Sequence, residues 1–331
     1  MARTTLKTVA NALDIAVTTV SRALKNDPAI KAETRRRVQE KARELGYIPD
    51  RAGVRLRTGK TFVISLVLPV ECNMTNHSAK LMSAIAEVLK GTNYHLNTSY
   101  WFEGEDPLNV VKYIVETRAA DGIIMNNTTP EDPRVKYLLE QKFPFATHGR
   151  TVWAEQHPYF DFDNEEFSKV AFQRLYDLGR RNILTILPPS GLSYTRDMEV
   201  GTQAASERLS CKTFACPTVN SDSLSDDIEK EVRAMLQQHP DIDAVYSSSP
   251  VACMSVIAAL ESLGKTLGQD IDVLGREAIP FLKMFRKDVL LVTEDVGKAG
   301  EFTINAVLQA IEHPERPMMQ KLDVPTIDLI H

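Results

Sequence analysis

The first 58 residues constrain this chain most. Apolar residues recur there at helical spacing in three short segments. Leu6, Val9, Ala10 and Leu13 fall three and four apart, so they share one face of a helix. Asp14-Ile15-Ala16 interrupts the pattern, and a second helix from about Val17 to Lys25 turns Val20, Ala23 and Leu24 toward the same core. Two helices joined by so few residues must cross steeply. A third begins near Ala32 with Val38, Ala42 and Leu45 inward; Gly46 stops it and Pro49 follows. The pattern is a helix-turn-helix with a supporting third helix.

The surface of this small bundle suits double-stranded DNA. A helix entering the major groove needs small or polar residues in its first turns, so that its backbone can approach the base edges. Val17, Thr18 and Arg22 are the candidate base readers: Val17 for a thymine methyl, Thr18 as donor or acceptor, Arg22 for two hydrogen bonds to guanine. Thr5, Thr19, Ser21, Asn26 and Arg35 are candidate phosphate contacts. Charge agrees. Residues 1–60 hold 14 Lys and Arg against 6 Asp and Glu, whereas the rest holds 25 against 38. A basic head on an acidic body favours attraction to phosphate through the head alone.

The stretch from Leu6 to Pro49 resembles the N-terminal domain of the LacI/GalR family of bacterial transcription regulators. Val9-Ala10, Thr19-Val20-Ser21-Arg22 and Gly46-Tyr47-Ile48-Pro49 stand where that family's signature has them. The chain departs from the family at Thr8, usually Asp; at Asp14, usually Gly; and at Ala16, usually Ser. Asp tolerates left-handed backbone better than most residues, whereas Ala16 lacks the hydroxyl that would cap the second helix.

The resemblance also assigns the linker. Residues 50–58 are too short to hold a helix alone in water. In the family such a linker becomes helical on DNA, paired with its copy from a second subunit, and a leucine at the place of Leu56 enters the minor groove. Arg51, Arg55 and Arg57 would then hold nearby phosphates. Asp50 replaces the usual Asn and Gly53 the usual Ala. The glycine should cost about 0.5–1 kcal/mol per copy against alanine.

At 331 residues the chain is long enough for two or more domains. From Thr61 onward, short apolar strand-like runs alternate with amphipathic helices. Phe62 to Leu68 is apolar enough for a strand buried on both faces of a parallel sheet. Repeated β–α alternation of this kind implies doubly wound α/β architecture. The resemblance makes it a type I periplasmic-binding-protein-like body of two lobes and a cleft. The expected layout is a DNA-binding domain at 1–49, a hinge at 50–60 and an effector and dimerisation domain at 61–331. Lobe one would comprise about 61–158 plus 291–325, and lobe two about 159–290.

Ligands of such sheets lie beyond the carboxyl ends of the strands. The candidate effector residues there are Asn73, Asn76, Trp101, Arg150, Arg196, Ser248 and Glu277, with Asn126, Asn127, Trp153, Ser249 and Arg276 beside them. Rings for C–H faces and polar groups for hydroxyls would suit a sugar; a purine or a phosphorylated metabolite stays open. Glu277 stands where the family has a ligand-binding Asp. Met198 occupies the usual place of an arginine that Arg196 would replace, Arg180 that of a histidine, and Pro250 that of an aspartate.

No glycine-rich phosphate loop and no GxSxG elbow occurs, so no enzyme is expected, although an enzyme or binding protein lacking operator function would share the body. The four cysteines show no metal-ligand spacing and read as reduced thiols; no cofactor and no metal is expected. The N-terminus has no apolar run for export and no segment approaches a membrane span, which gives a cytoplasmic expectation. One head reads too few bases for a genomic site, so a homodimer on a near-palindromic operator is expected.

Overall fold

The computed structural model describes residues 4–48, 51–70 and 75–326. The chain divides after Thr61 into two compact units.

The first unit contains α1 (Leu6–Leu13), α2 (Val17–Leu24), α3 (Ala32–Glu44) and α4 (Arg51–Thr58). Val9, Ala10, Val20, Ala23, Val38 and Ala42 are its buried core. Thr8, a departure from the family, has a local purpose. The Thr5 hydroxyl accepts from the Thr8 amide at 3.2 Å while the Thr5 amide donates to the Thr8 hydroxyl at 3.2 Å, a reciprocal cap of α1. Asp14 takes the left-handed conformation, φ 52°, at the tight turn. Ala16 leaves α2 without a side-chain cap.

Residues 51–58, the expected hinge, form the helix α4. Its last turn is closed locally: Gly59, at φ 72°, donates its amide to the Arg55 carbonyl at 2.8 Å. Leu56 is 90% exposed on this helix, so packing of its apolar side chain does not hold it.

The second unit is built on two parallel sheets. The first takes β1 (Val63–Pro69), β2 (His95–Trp101), β3 (Gly122–Met125), β4 (Phe145–His148) and β5 (Tyr159–Phe162), with α5 (Thr75–Leu89), α6 (Pro107–Glu116) and α7 (Pro133–Glu140) between them. The second takes β6 (Asn182–Ile186), β7 (Lys212–Ala215), β8 (Ala244–Ser247), β9 (Asp272–Glu277) and β10 (Leu290–Thr293), with α8 (Asn164–Asp177), α9 (Ser193–Leu209), α10 (Ser225–Gln238), α11 (Pro250–Ser262) and the short α12 (Phe281–Phe285). The chain then returns to the first sheet through α13 (Val296–Glu312) and β11 (Gln320–Asp323).

The orders are β11-β5-β4-β3-β1-β2 and β10-β9-β8-β6-β7. Apart from β11 they are the same order repeated. The first sheet has one apolar cluster with α5 and α13 and another with α6 and α7. The second is covered by α10 and α11 on one side and by α8 and α9 on the other. Two covered faces explain the continuous apolar runs such as that of β1.

The expected lobe limits need correction. β5 pairs with β4 through Thr147↔Tyr159 and His148↔Phe160, so the first sheet extends to Phe162. β10 pairs with β9, so the second extends to Thr293. Four-residue strands carry little sign of which sheet they join. The helix caps mark the crossings better: Asp163 caps α8 and Asp295 caps α13. Asn164, the first residue of α8, donates its side-chain amide to the Phe162 carbonyl at 2.7 Å.

Two family departures have local compensation. Ser249 caps α11 beside Pro250. Arg180 Nε meets Asp272 Oδ2 at 2.6 Å and so ties the end of α8 to β9. Gly201 is required by a close approach, because a Cβ there would run into the Glu165 carbonyl of α8. Among the described residues, no helix is long and apolar enough to cross a membrane.

Candidate functional site

Val17, Thr18 and Arg22 are exposed on α2, on the side away from Val20 and Ala23. Arg22 Nε donates to Asp27 Oδ2 at 2.8 Å, and Asp27 Oδ1 accepts the Ala29 amide at 2.9 Å. The guanidinium is therefore held by the loop that follows its own helix. Thr19 and Ser21 are half-buried. Asn26 takes a left-handed φ of 57°, and its Oδ1 accepts from Gln39 at 2.7 Å. Arg35 Nη1 donates to the Asn26 and Asp27 carbonyls at 3.2 and 3.3 Å. Asn26 and Arg35 thus build the turn that presents α2, and Thr5 caps α1. On α4, Arg55 and Leu56 are exposed. The Arg51 and Asn76 side chains and the whole of Asn73 lie outside the described residues.

In the larger unit a cleft opens where the carboxyl ends of both sheets face each other. Of the expected residues, Ser248 and Glu277 line it, together with Asn126, Asn127, Ser249 and Arg276. The loop carrying the two asparagines is fixed by a buried ion pair. Arg134 Nη2 meets Asp132 Oδ2 at 2.7 Å and also donates to the carbonyls of Asn126 and Asn127 at 3.2 and 2.9 Å. Asn126 is 3% exposed, and its Oδ1 has no hydrogen-bond partner among the described residues.

Glu277 divides its carboxylate. Oε2 accepts the Leu282 amide at 3.0 Å and so caps α12. Oε1 is buried without a partner among the described residues. Burial pushes this carboxyl above the ordinary range, against the amides at the start of α12. Arg276 is tied on two of its nitrogens and packed on two rings. Its Nη1 donates to Asn164 Oδ1 at 2.6 Å, its Nε lies 3.3 Å from Glu294 Oε2, and its carbon centre sits 5.2 and 5.4 Å from the rings of Phe162 and Phe167.

Three expected effector residues do not line the cleft. Trp101 packs with Trp153 in the cluster beneath α6 and α7. Arg150 joins the lobes instead: Nε meets Asp161 Oδ2 at 2.6 Å, and Nη2 lies 3.5 Å from Asp197 Oδ2 on α9. Arg196 folds onto Asp197 Oδ1 at 2.9 Å. Met198, at the position of the family arginine, is buried in the second lobe's core. The rings at the cleft are Phe162, Tyr194 and Phe281.

The sequence reading missed a charged group. His77, at the start of α5, and His148, at the end of β4, stack with centroids 5.2 Å apart and planes at 6°. Both present Nε2 to Glu294 Oε1, at 3.9 and 3.5 Å. Burial would raise the Glu294 carboxyl, but Arg276 and the two imidazoles hold it well below the ordinary range. No spacing connects positions 77, 148 and 294; the strand-end rule applied to β4 and β10 would have found two of them. Asp161 also lines the cleft, pushed up to about 6 by burial despite Arg150. His157, the histidine of the carboxylate-rich stretch near Phe160, is buried against Thr151 at 3.0 Å and serves packing. Cys211, Cys216 and Cys253 are free.

Comparison with known proteins fits both units. Residues 5–50 match the description "Bacterial regulatory proteins, lacI family", and residues 61–319 match "Periplasmic binding proteins and sugar binding domain of LacI family". The HTH-type transcriptional regulator AglR of Rhizobium meliloti is 28% identical over 325 residues, covering 95% of this chain and 90% of that protein. Among solved structures, the lac repressor dimer bound to operator and the anti-inducer ONPF superposes with a TM-score of 0.85 at 17% identity, covering 98% and 97% of the two chains. The CelR–cellobiose complex does so at 0.70 and 21%, covering 97% of each. The chain belongs to the LacI family of bacterial transcription regulators, with a DNA-binding helix-turn-helix head and a ligand-binding body.

Proposed function

We propose that this regulator is a repressor that binds a near-palindromic operator as a homodimer and answers to a neutral sugar. Val17, Thr18 and Arg22 read bases; Thr5, Thr19, Ser21, Asn26 and Arg35 position the head on phosphates; Arg51, Arg55 and Leu56 engage the minor groove. For Arg22 this requires exchange of Asp27 for a guanine edge. The dimer face is the outward side of α5, where Ser83, Ala86 and Glu87 are exposed. Ala86 belongs to that outward side because Leu81, Ile85 and Leu89 are the residues of α5 buried in the cluster with α13.

One observation carries the effector reading. The cleft holds buried acceptors waiting for donors, Asn126 Oδ1 and Glu277 Oε1, with Ser248, Asp161 and Asp222 around them. Hydroxyl groups satisfy such atoms, and a buried acceptor left unpaired is costly. A phosphate would add charge to a cleft that already has four carboxylates, and Arg276, its guanidinium, is committed to Asn164 and Glu294. Phe162, Tyr194 and Phe281 offer faces for the sugar's C–H side. The cellobiose named for the CelR complex is in line with this. Asn73 and Asn76 complete the proposed contacts.

Calorimetric titration of the intact protein with neutral sugars, sugar phosphates and nucleobases tests the assignment, followed by operator binding with and without the hit. A neutral sugar should bind and shift operator affinity. Tighter binding by a sugar phosphate or a nucleobase would reject the neutral-sugar reading.

A further inference from the structure

We propose that His77, His148 and Glu294 form a binding site for a divalent transition-metal ion of the zinc type, with an open coordination position toward the cleft. The donor atoms lie within 4.8 Å of one another. The two Nε2···Oε1 distances, 3.9 and 3.5 Å, exceed a good hydrogen bond. They approach instead the separation of ~3.4 Å between neighbouring ligands of a tetrahedral ion with bonds of ~2.1 Å. Two imidazoles and one carboxylate suit zinc and its neighbours, whereas calcium and magnesium favour all-oxygen shells. Three protein ligands leave a fourth position, the arrangement of zinc sites that take water or a ligand oxygen.

The surroundings orient the set. Arg276 Nε holds Glu294 Oε2 at 3.3 Å, and Asn164 holds Arg276, which leaves Oε1 presented to the histidines. The guanidinium adds one positive charge nearby, but it is turned to the rings of Phe162 and Phe167, and Asp161 lies in the same cleft. Both Nε2 atoms face the same Glu294 oxygen, and because the stacked rings are near-parallel, rotation of one imidazole about its Cβ–Cγ bond aims both lone pairs at one ion. Both His77 and His148 belong to the first lobe, whereas Glu294 follows β10 at the crossing back from the second lobe. An ion there joins the first lobe to that crossing.

The test uses the intact protein without DNA or sugar, so its result is independent of the effector reading. After chelator treatment, Zn2+ is titrated against a competing dye, and bound metal is counted by elemental analysis. One ion per chain is expected. His77→Ala and His148→Ala should each weaken Zn2+ at least about tenfold, while His95→Ala, exposed on β2, should leave it unchanged. Substituted Co2+ should give visible bands of low-symmetry coordination that disappear in His148→Ala. If His148→Ala does not fold, the partly exposed His77 carries the test. No bound ion, or equal Zn2+ affinity in His77→Ala and the parent protein, would overturn the proposal.

Discussion

The head and the body present opposite relations between sequence and chemistry. In the head, the base-reading candidates fall within six consecutive residues, Val17 to Arg22, on one face of one helix. In the body, the cleft is assembled from the ends of strands in both sheets, so neighbours in space are far apart in the chain. A helix-borne site can be read locally. A strand-end site requires the topology first. The head also has a small core of six buried residues, and its surface polar groups build turns as well as a DNA-facing side. The body separates those tasks, with apolar clusters on both faces of each sheet and polar groups at one end.

That contrast can be broken by substitution. The largest effect belongs to Glu277→Ala, which should abolish the effector response while operator binding persists; an unchanged titration would remove Glu277 from the site. Arg22→Ala should lower specific operator affinity roughly ten- to a hundredfold with binding to random duplex nearly unchanged. An equal loss on both duplexes would mean that Arg22 contacts phosphate. Gly201→Ala should destabilise the body by about 1–3 kcal/mol, because the added methyl meets the Glu165 carbonyl. A denaturant midpoint identical to the parent's would show that α8 and α9 can separate freely. The smallest expected change is a gain: Gly53→Ala should favour α4 by about 0.5–1 kcal/mol per copy, visible as tighter operator binding in quantitative footprinting. No change there would mean that α4 is already fully formed before it meets DNA.

Much of the fold was legible because local chemistry and topology agreed. The helix starts at Leu6, Val17 and Ala32 follow from apolar spacing, and β3, Gly122–Met125, stands out as an apolar run. Thr8 and Asp14 looked like weaknesses, yet both have local solutions in a reciprocal cap and a left-handed turn. The cleft was legible in part. Ser248 and Glu277 follow from their strand ends, but two tryptophans were attractive for the wrong reason. A tryptophan near a strand end can stack on a ligand or fill space beneath helices, and residue type cannot distinguish these. Arg150 and Arg196 were ambiguous in the same way. Their partner, Asp197, follows only from the fold, which brings α9 to the loop that carries Arg150. The histidines had no signal as a pair, since 71 residues separate His77 from His148 and only His148 stands at a strand end.

The repeated strand order has a mechanical consequence. Among the described residues, the two halves are connected at Phe162–Asn164 and at Thr293–Val296, and both connections run beside the cleft. Two attachments define a line, so the easiest displacement is a swing of one half about that axis, like a door on paired hinges. Arg150, bound to Asp161 in one half and Asp197 in the other, stands as a latch whose release would set how far that door opens.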